Sequence, residues 1–189
     1  SKCEWFGVFS YAVKNKLTGF TYNKLKKSCE KYSDYDLLVP WPGSYSYNSN
    51  IRDDHIYREW SPDTWGTFDF LVDKLGLTDK WKTNTKSGST PGKFMNGVGT
   101  AVYCNYFVGK PEIYLDYVDT MLCPAIELFR TNLELNAMGL KRNPYKGKNP
   151  PNNFTRDTGL SYYPQVPFVL ERLINVYMEI NNLKVAWVL

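Results

Sequence analysis

Three consecutive segments decide the predicted fold: EWFGVF at residues 4–9, TYNKLKKSCEKY at residues 21–32 and DLLV at residues 36–39. The first and third are short apolar runs, which are typical of strands. The middle segment repeats its apolar residues at helical spacing. A strand, a helix and a strand within 40 residues predict a βαβ unit, in which the two strands run parallel.

Further helices and strands are predicted downstream. Pro62 is a good first helical residue and Gly76 a good terminator, so a helix is expected from Pro62 to about Leu75. Residues 100–108 (TAVYCNYFV) are apolar enough to predict a central strand. Pro111 should begin another helix, which Pro124 should kink or break near Leu122.

The end of the chain is predicted to combine a long loop with a last helix and strand. A helical piece over residues 125–137 ends at Gly139, and a basic, Asn- and Pro-rich loop follows from there to Tyr163. Pro167 opens the last helix, and residues 183–189 (LKVAWVL) form the last strand. The predicted fold class is therefore α/β, with a single mixed, mostly parallel sheet flanked by helices.

Composition indicates one globular domain. The chain has 189 residues, of which 43% are hydrophobic, so it can bury a core without disulfides or metals. The net charge of +4 fits a small anionic ligand better than a nucleic acid. No apolar stretch reaches the ~20 residues that a membrane span needs. We expect a single domain over residues 1–189, whole or as a fragment of a longer protein, in the cytoplasm.

The most charged segment is RDDHIYRE at residues 52–59. Its ionisable side chains are Arg52, Asp53, Asp54, His55, Arg58 and Glu59. Arg52, His55 and Arg58 are candidates for binding the substrate, and the two arginines could offset the charge of a diphosphate. It lies between a predicted strand and a predicted helix, where α/β proteins tend to bind ligands. Asp54, and next Asp53, is the candidate general base that removes a proton from a hydroxyl. Alternatively the two carboxylates ligate Mn²⁺ or Mg²⁺, or the segment is a solvated turn.

Aromatic and amide side chains are further candidates for ligand binding. Trp41 and Tyr47 lie near the charged segment in sequence, and their rings can stack on sugars or bases. Packing in the core is the alternative for each. Asn105 lies within the predicted central strand, where it is either part of a buried hydrogen-bond network or a ligand contact.

Basic residues near the end of the chain are candidates for binding a diphosphate. Lys141 and Arg142 begin the long loop, which is expected either to close over the ligand as a mobile lid or to be a surface excursion. Glu171 and Arg172 lie on the last helix. Arg172 can clamp a phosphate or form a structural ion pair.

The position of the one DxD sequence and the absence of other known motifs argue against several other functions. Asp34 and Asp36 form a DxD sequence, but it precedes its strand, whereas a metal-binding DxD follows one, so a structural role is predicted. The chain has no P-loop, GxGxxG, GxSxG or HExxH motif, and its four cysteines lack CxxC spacing.

Three segments resemble conserved motifs of bacterial polysaccharide-biosynthesis glycosyltransferases of the DUF4422-like kind. They are WFGVFS with KLTG within residues 5–19, YCNYFVGKPE at residues 103–112 and VPFVLERLIN at residues 166–175. The resemblance implies a GT-A-type fold, a nucleotide-sugar donor, a glycan hydroxyl as acceptor and a divalent metal. Two functions thus stay open: a glycosyltransferase, or a non-catalytic carbohydrate- or nucleotide-binding domain of a larger protein.

Overall fold

The computed structural model describes residues 4–9, 19–40, 62–81, 106–143 and 152–188. Helix accounts for 61% of this part of the chain, and its strands form one mixed sheet of three short strands. The predicted α/β fold, with a single mostly parallel, GT-A-like sheet, is therefore wrong. The apolar runs at residues 36–39 and 183–189 do contain strands, but residues 4–9 form only a single bridge, and the described part of the run at residues 100–108 contributes one strand residue.

The elements are numbered in chain order within the described residues. The helices are α1 (Tyr22–Lys31), α2 (Pro62–Lys74), α3 (Pro111–Tyr117), α4 (Cys123–Thr131), α5 (Leu133–Gly139), α6 (Asn152–Thr158), α7 (Val166–Leu170) and α8 (Leu173–Ile180). The strands are β1 (Leu37–Val39), β2 (Val108–Gly109) and β3 (Val185–Trp187).

Strand β1 lies at the centre of the sheet. It pairs parallel with β3, with Leu37 opposite Val185, and antiparallel with β2, with Leu38 opposite Val108. Phe6 adds an antiparallel bridge to the other side of β2. Residues 4–9 therefore run in the same direction as β1, as a βαβ unit requires, but β2 lies between them.

The starts and ends of the first helices follow their capping residues. Thr21 caps α1, because its Oγ1 accepts a hydrogen bond from the Lys24 N–H over 3.2 Å. Helix α2 begins at Pro62 and ends before Gly76, whose φ of 69° is a conformation that glycine adopts easily. The sequence predictions of both helices are confirmed.

Pro124 does not break its helix. Residues 118–122 form a π-helical segment (Val118–Leu122) that joins α3 to α4, and the Cys123 N–H donates to the Val118 carbonyl. The wider turn accommodates a proline, which has no N–H and would crowd the carbonyl four residues earlier. The break comes instead at Asn132, whose side chain accepts from the Leu135 N–H over 2.9 Å and caps α5.

The core lies on both faces of the sheet. Leu37 and Val39 point into the larger cluster, which packs against α2, α3, α4, α5, α7 and α8. Leu38 points to the opposite face, where Val108 and Ala186 form a smaller cluster covered by α1. This alternation follows from the two-residue period of a strand. It places α1 on one face of the sheet and the remaining packed helices on the other.

Candidate functional site

Part of the predicted site lies outside the described residues. This part comprises Arg52, Asp53, Asp54, His55, Arg58, Trp41, Tyr47 and Asn105. The structure describes the other predicted site residues, namely Lys141, Arg142, Glu171 and Arg172.

Three segments that were predicted to border the site meet at the first turn of α2. The meeting point is a polar cluster of Thr64, Asn143 and Gln165, all of which are buried. The Asn143 Nδ2 donates to Thr64 Oγ1 over 2.9 Å and to Gln165 Oε1 over 3.0 Å. Thr64 Oγ1 also donates to Gln165 Oε1. The cluster therefore joins α2, residues 141–143 and the start of α7.

The polar cluster stabilises the fold because its buried polar side chains form hydrogen bonds with one another. Gln165 Nε2 donates to the Arg142 carbonyl over 3.1 Å, so the amide is used on both sides. A buried polar group that loses its partner costs about 1–3 kcal/mol. Nothing in the sequence marked these residues, because they lie up to 101 positions apart and carry no charge.

The same contacts close the base of the predicted long loop. The Asn143 N–H donates to the Tyr163 carbonyl over 2.8 Å, and the Gln165 N–H donates to Gly139 over 2.8 Å and to Lys141 over 3.1 Å. The two ends of the loop therefore lie side by side. The segment is not structureless, since it contains α6 (Asn152–Thr158). The lid itself stays a prediction, because residues 144–151 lie outside the described part.

Exposed cations and aromatic rings lie at this base. The side chains of Lys141 and Arg142 are exposed. Tyr163 is partly buried and packs against Phe154, with 5.3 Å between ring centroids. The Tyr162 hydroxyl donates to the Leu140 carbonyl over 2.9 Å. We did not select these aromatic residues from the sequence, although a Tyr-Tyr-Pro run beside a basic loop is the signal that could have identified them.

Arg172 lies at the junction between α7 and α8. Its guanidinium pairs with Glu171 Oε1 over 3.1 Å and donates to the Phe168 carbonyl. It also lies over the Trp65 ring, 5.4 Å from the centroid, and its side chain is only 9% exposed. The structure thus contains the ion pair that was one of the two alternatives for Arg172. Phosphate binding by this residue stays a prediction.

The predicted last helix is interrupted at this ion pair. The chain turns at residues 171–172, so α7 ends at Leu170 and α8 begins at Leu173. The Arg172 N–H donates to Val169, three residues earlier, which is the bond of a tight turn rather than of an α-helix. Arg172 therefore fixes the corner between α7 and α8 against α2.

The DxD sequence has the structural role that was predicted. Lys184 forms an ion pair with Asp34, and its backbone N–H donates to Asp36 Oδ2 over 2.7 Å. The hydrogen bond from Lys184 lowers the pKa of Asp34 below its usual value. Both carboxylates thus tie the start of β1 to the residue before β3.

Two further features concern metals and membranes. Among the described residues, no three His, Cys, Asp or Glu side chains are grouped so that they could hold a metal ion. Asp53 and Asp54 lie outside these residues, so Mn²⁺ or Mg²⁺ there stays a prediction. Over the same ranges, no helix has the length and apolar character that crossing a bilayer requires.

Comparisons with protein-family models, with curated proteins and with solved structures gave no match for this chain.

Proposed function

We propose that this protein is a glycosyltransferase that moves a sugar from a nucleotide-diphosphate donor to a glycan hydroxyl. The observation that carries the proposal is the polar cluster, which brings the first turn of α2, the Lys141–Arg142 pair and the start of α7 to one place. In the sequence, α2 directly follows the segment with the paired carboxylates: Glu59 precedes Pro62 by three positions. The segment with the candidate base thus precedes the helix terminus to which the polar cluster links the cationic residues.

The chemistry of these residues suits sugar transfer. Asp54 is the proposed base that takes the proton from the acceptor hydroxyl, and Asp53 is the next candidate. The leaving diphosphate gains negative charge, which the exposed cations Lys141 and Arg142 can offset. Tyr162 and Tyr163 offer flat, partly buried rings beside these cations, and such rings can pack against a sugar.

Glu171 and Arg172 have a supporting role in this proposal. They lie in the segment that resembles the glycosyltransferase motif, residues 166–175, but their charges are largely used against each other. Arg172 holds the α7–α8 corner to Trp65 of α2 and is therefore a positioning residue. The proposal depends on the candidate base, on the exposed cations and on the sequence resemblance. It does not depend on a GT-A-like fold.

A panel of nucleotide sugars tests the proposal. Purified protein is incubated with UDP-, GDP- and dTDP-sugars, with Mg²⁺ or Mn²⁺, and both thermal unfolding and release of nucleotide diphosphate are measured. One donor should raise the melting temperature, since a ligand at 100 times its Kd adds about 2.7 kcal/mol. The same donor should release its diphosphate. If no donor does either, the proposal is wrong.

Substitutions distinguish catalysis from binding alone. Asp54→Asn should lower turnover by about a hundredfold or more while keeping donor affinity, because a general base contributes at least that much. Asp53→Asn is tested beside it. Asp73→Asn is the matched control, since Asp73 is an exposed carboxylate near the other end of α2. If a donor stabilises the wild-type protein but is never turned over, the chain is a non-catalytic binding domain.

A further inference from the structure

Helix α1 concentrates positive charge on its outward side. Lys24, Lys27 and Lys31 recur at spacings of three and four, so they form one stripe along the helix, and all three are exposed. Lys26 is exposed beside the stripe, and Glu30 is the only acidic residue of α1. With four lysines and one glutamate, α1 has a net charge of +3, compared with +4 for the whole chain.

The position of α1 on the molecule is fixed by its other side. Leu25 and Cys29 pack against the smaller core cluster around Leu38 and Val108. The helix therefore cannot roll over to bury its apolar residues in another surface. Its lysines face outward in a constant arrangement, and any partner that binds this side must interact with the charges.

The lysines of α1 differ from other lysines near the sheet. Lys184 is paired with Asp34, and the Lys110 Nζ donates to the Ser33 carbonyl over 2.8 Å. Within the described part of the chain, by contrast, Lys24 and Lys27 make no ion pair with a carboxylate. Like charges three or four residues apart repel and weaken a helix. An anionic partner would remove that repulsion.

We propose that α1 docks the protein onto the surface of an anionic lipid bilayer. The stripe is about 10 Å long from Lys24 to Lys31, given 1.5 Å of rise per residue, so a flat anionic surface can reach all of its charges together. The charge of the whole chain is too low to indicate nucleic acid, whereas a bilayer needs only a local cluster.

Vesicle cosedimentation tests the proposal. The full chain should bind vesicles that contain phosphatidylserine, should not bind pure phosphatidylcholine vesicles, and should dissociate as salt is raised. The Lys24→Gln/Lys27→Gln/Lys31→Gln variant should bind about a hundredfold more weakly, since each lysine near an anionic membrane contributes about fivefold. Glutamine has a helix propensity close to that of lysine, so α1 should still form.

The control removes the same charge elsewhere. Lys74, Lys80 and Arg130 are exposed, and their triple replacement by Gln should leave vesicle binding within about twofold of wild type. The proposal is overturned if the wild-type protein does not bind the anionic vesicles, or if both triple variants lose binding equally. Tighter binding to a DNA duplex than to the vesicles would also overturn it, in favour of a nucleic-acid partner. Vesicle binding needs no nucleotide sugar, so its failure would leave the proposed transferase untouched.

Discussion

The side-chain amide of Asn143 donates a hydrogen bond to the hydroxyl of Thr64 over 2.9 Å, although 79 residues separate them in sequence. Thr64 lies in the first turn of α2, and Asn143 follows the Lys141–Arg142 pair. This contact, completed by Gln165, sets the distance between the helix terminus and the cationic residues. The polar cluster is therefore the part of the candidate site whose energy can be measured directly.

Removing Gln165 should cost more than removing Thr64. Gln165→Leu deletes three hydrogen bonds of its side chain and should lower the free energy of unfolding by about 2–3 kcal/mol, whereas Thr64→Val should lower it by about 1 kcal/mol. The double variant should lose less than the sum, because the two side chains share a bond. Urea denaturation measures all three, with exposed Ser161→Ala as the control. Strictly additive losses would contradict the cluster.

A feature of the fold or of the candidate site could be predicted from the sequence where residues close together in the chain determine it. Thr21 caps α1 and Pro62 begins α2, and both effects depend on the residues at the helix terminus itself. The sheet was predicted wrongly because pairing is not local: the run at residues 100–108 does not tell that β2 is antiparallel to β1. The polar cluster was missed for the same reason, since Thr64 and Gln165 meet only in the folded chain.

Two glycine-to-alanine substitutions should have opposite effects. A Cβ on Gly139 would lie 2.6 Å from a Phe129 ring carbon and 2.7 Å from a Val166 methyl, so Gly139→Ala should destabilise the protein by about 1–3 kcal/mol. Gly66 lies inside α2, and beyond its chain neighbours and the helix backbone the added Cβ would meet nothing within 4 Å, so Gly66→Ala should stabilise by about 0.5–1 kcal/mol. Thermal and urea unfolding measure both. If both variants changed the free energy of unfolding in the same direction, the close packing of α5 on α4 and α7 would be contradicted.

Two tyrosine-to-phenylalanine substitutions should also differ in sign. The Tyr117 hydroxyl is buried without a hydrogen-bond partner in the described structure, so Tyr117→Phe should stabilise the protein by about 1 kcal/mol. The Tyr177 hydroxyl donates to Asp116 Oδ2 over 2.5 Å, so Tyr177→Phe should destabilise by about 1–2 kcal/mol. The measurement is the free energy of unfolding near pH 7. A loss of stability in Tyr117→Phe would mean that its hydroxyl is bonded in solution.

Alkaline pH should increase the difference in stability between the Tyr117→Phe variant and the wild type. Burial raises the pKa of Tyr117 above its ordinary value of 10.0, so the folded protein keeps a proton that the unfolded chain gives up. Stability linked to this proton is present below pH 10 and is lost as the pH rises above it. The advantage of Tyr117→Phe should therefore grow above pH 10, as followed by urea midpoints. A constant difference between the two proteins would show that the phenol ionises equally in both states.

The pairing of β1 with the distant strand β3 has a consequence for the synthesis of the protein. One of the two partners of β1, the strand β3, is synthesised late: the Asp36 carboxylate beside β1 accepts a hydrogen bond from the backbone N–H of Lys184, 148 positions further along the chain. At about 5–20 residues per second, a ribosome takes roughly 7–30 s to synthesise that length. Throughout this time Leu38 and Val39 lack β3, the parallel strand with which both of them pair. The nascent chain must therefore hold an apolar, incompletely paired strand in solution until Trp187 has been added, which is the interval in which a chaperone would matter most.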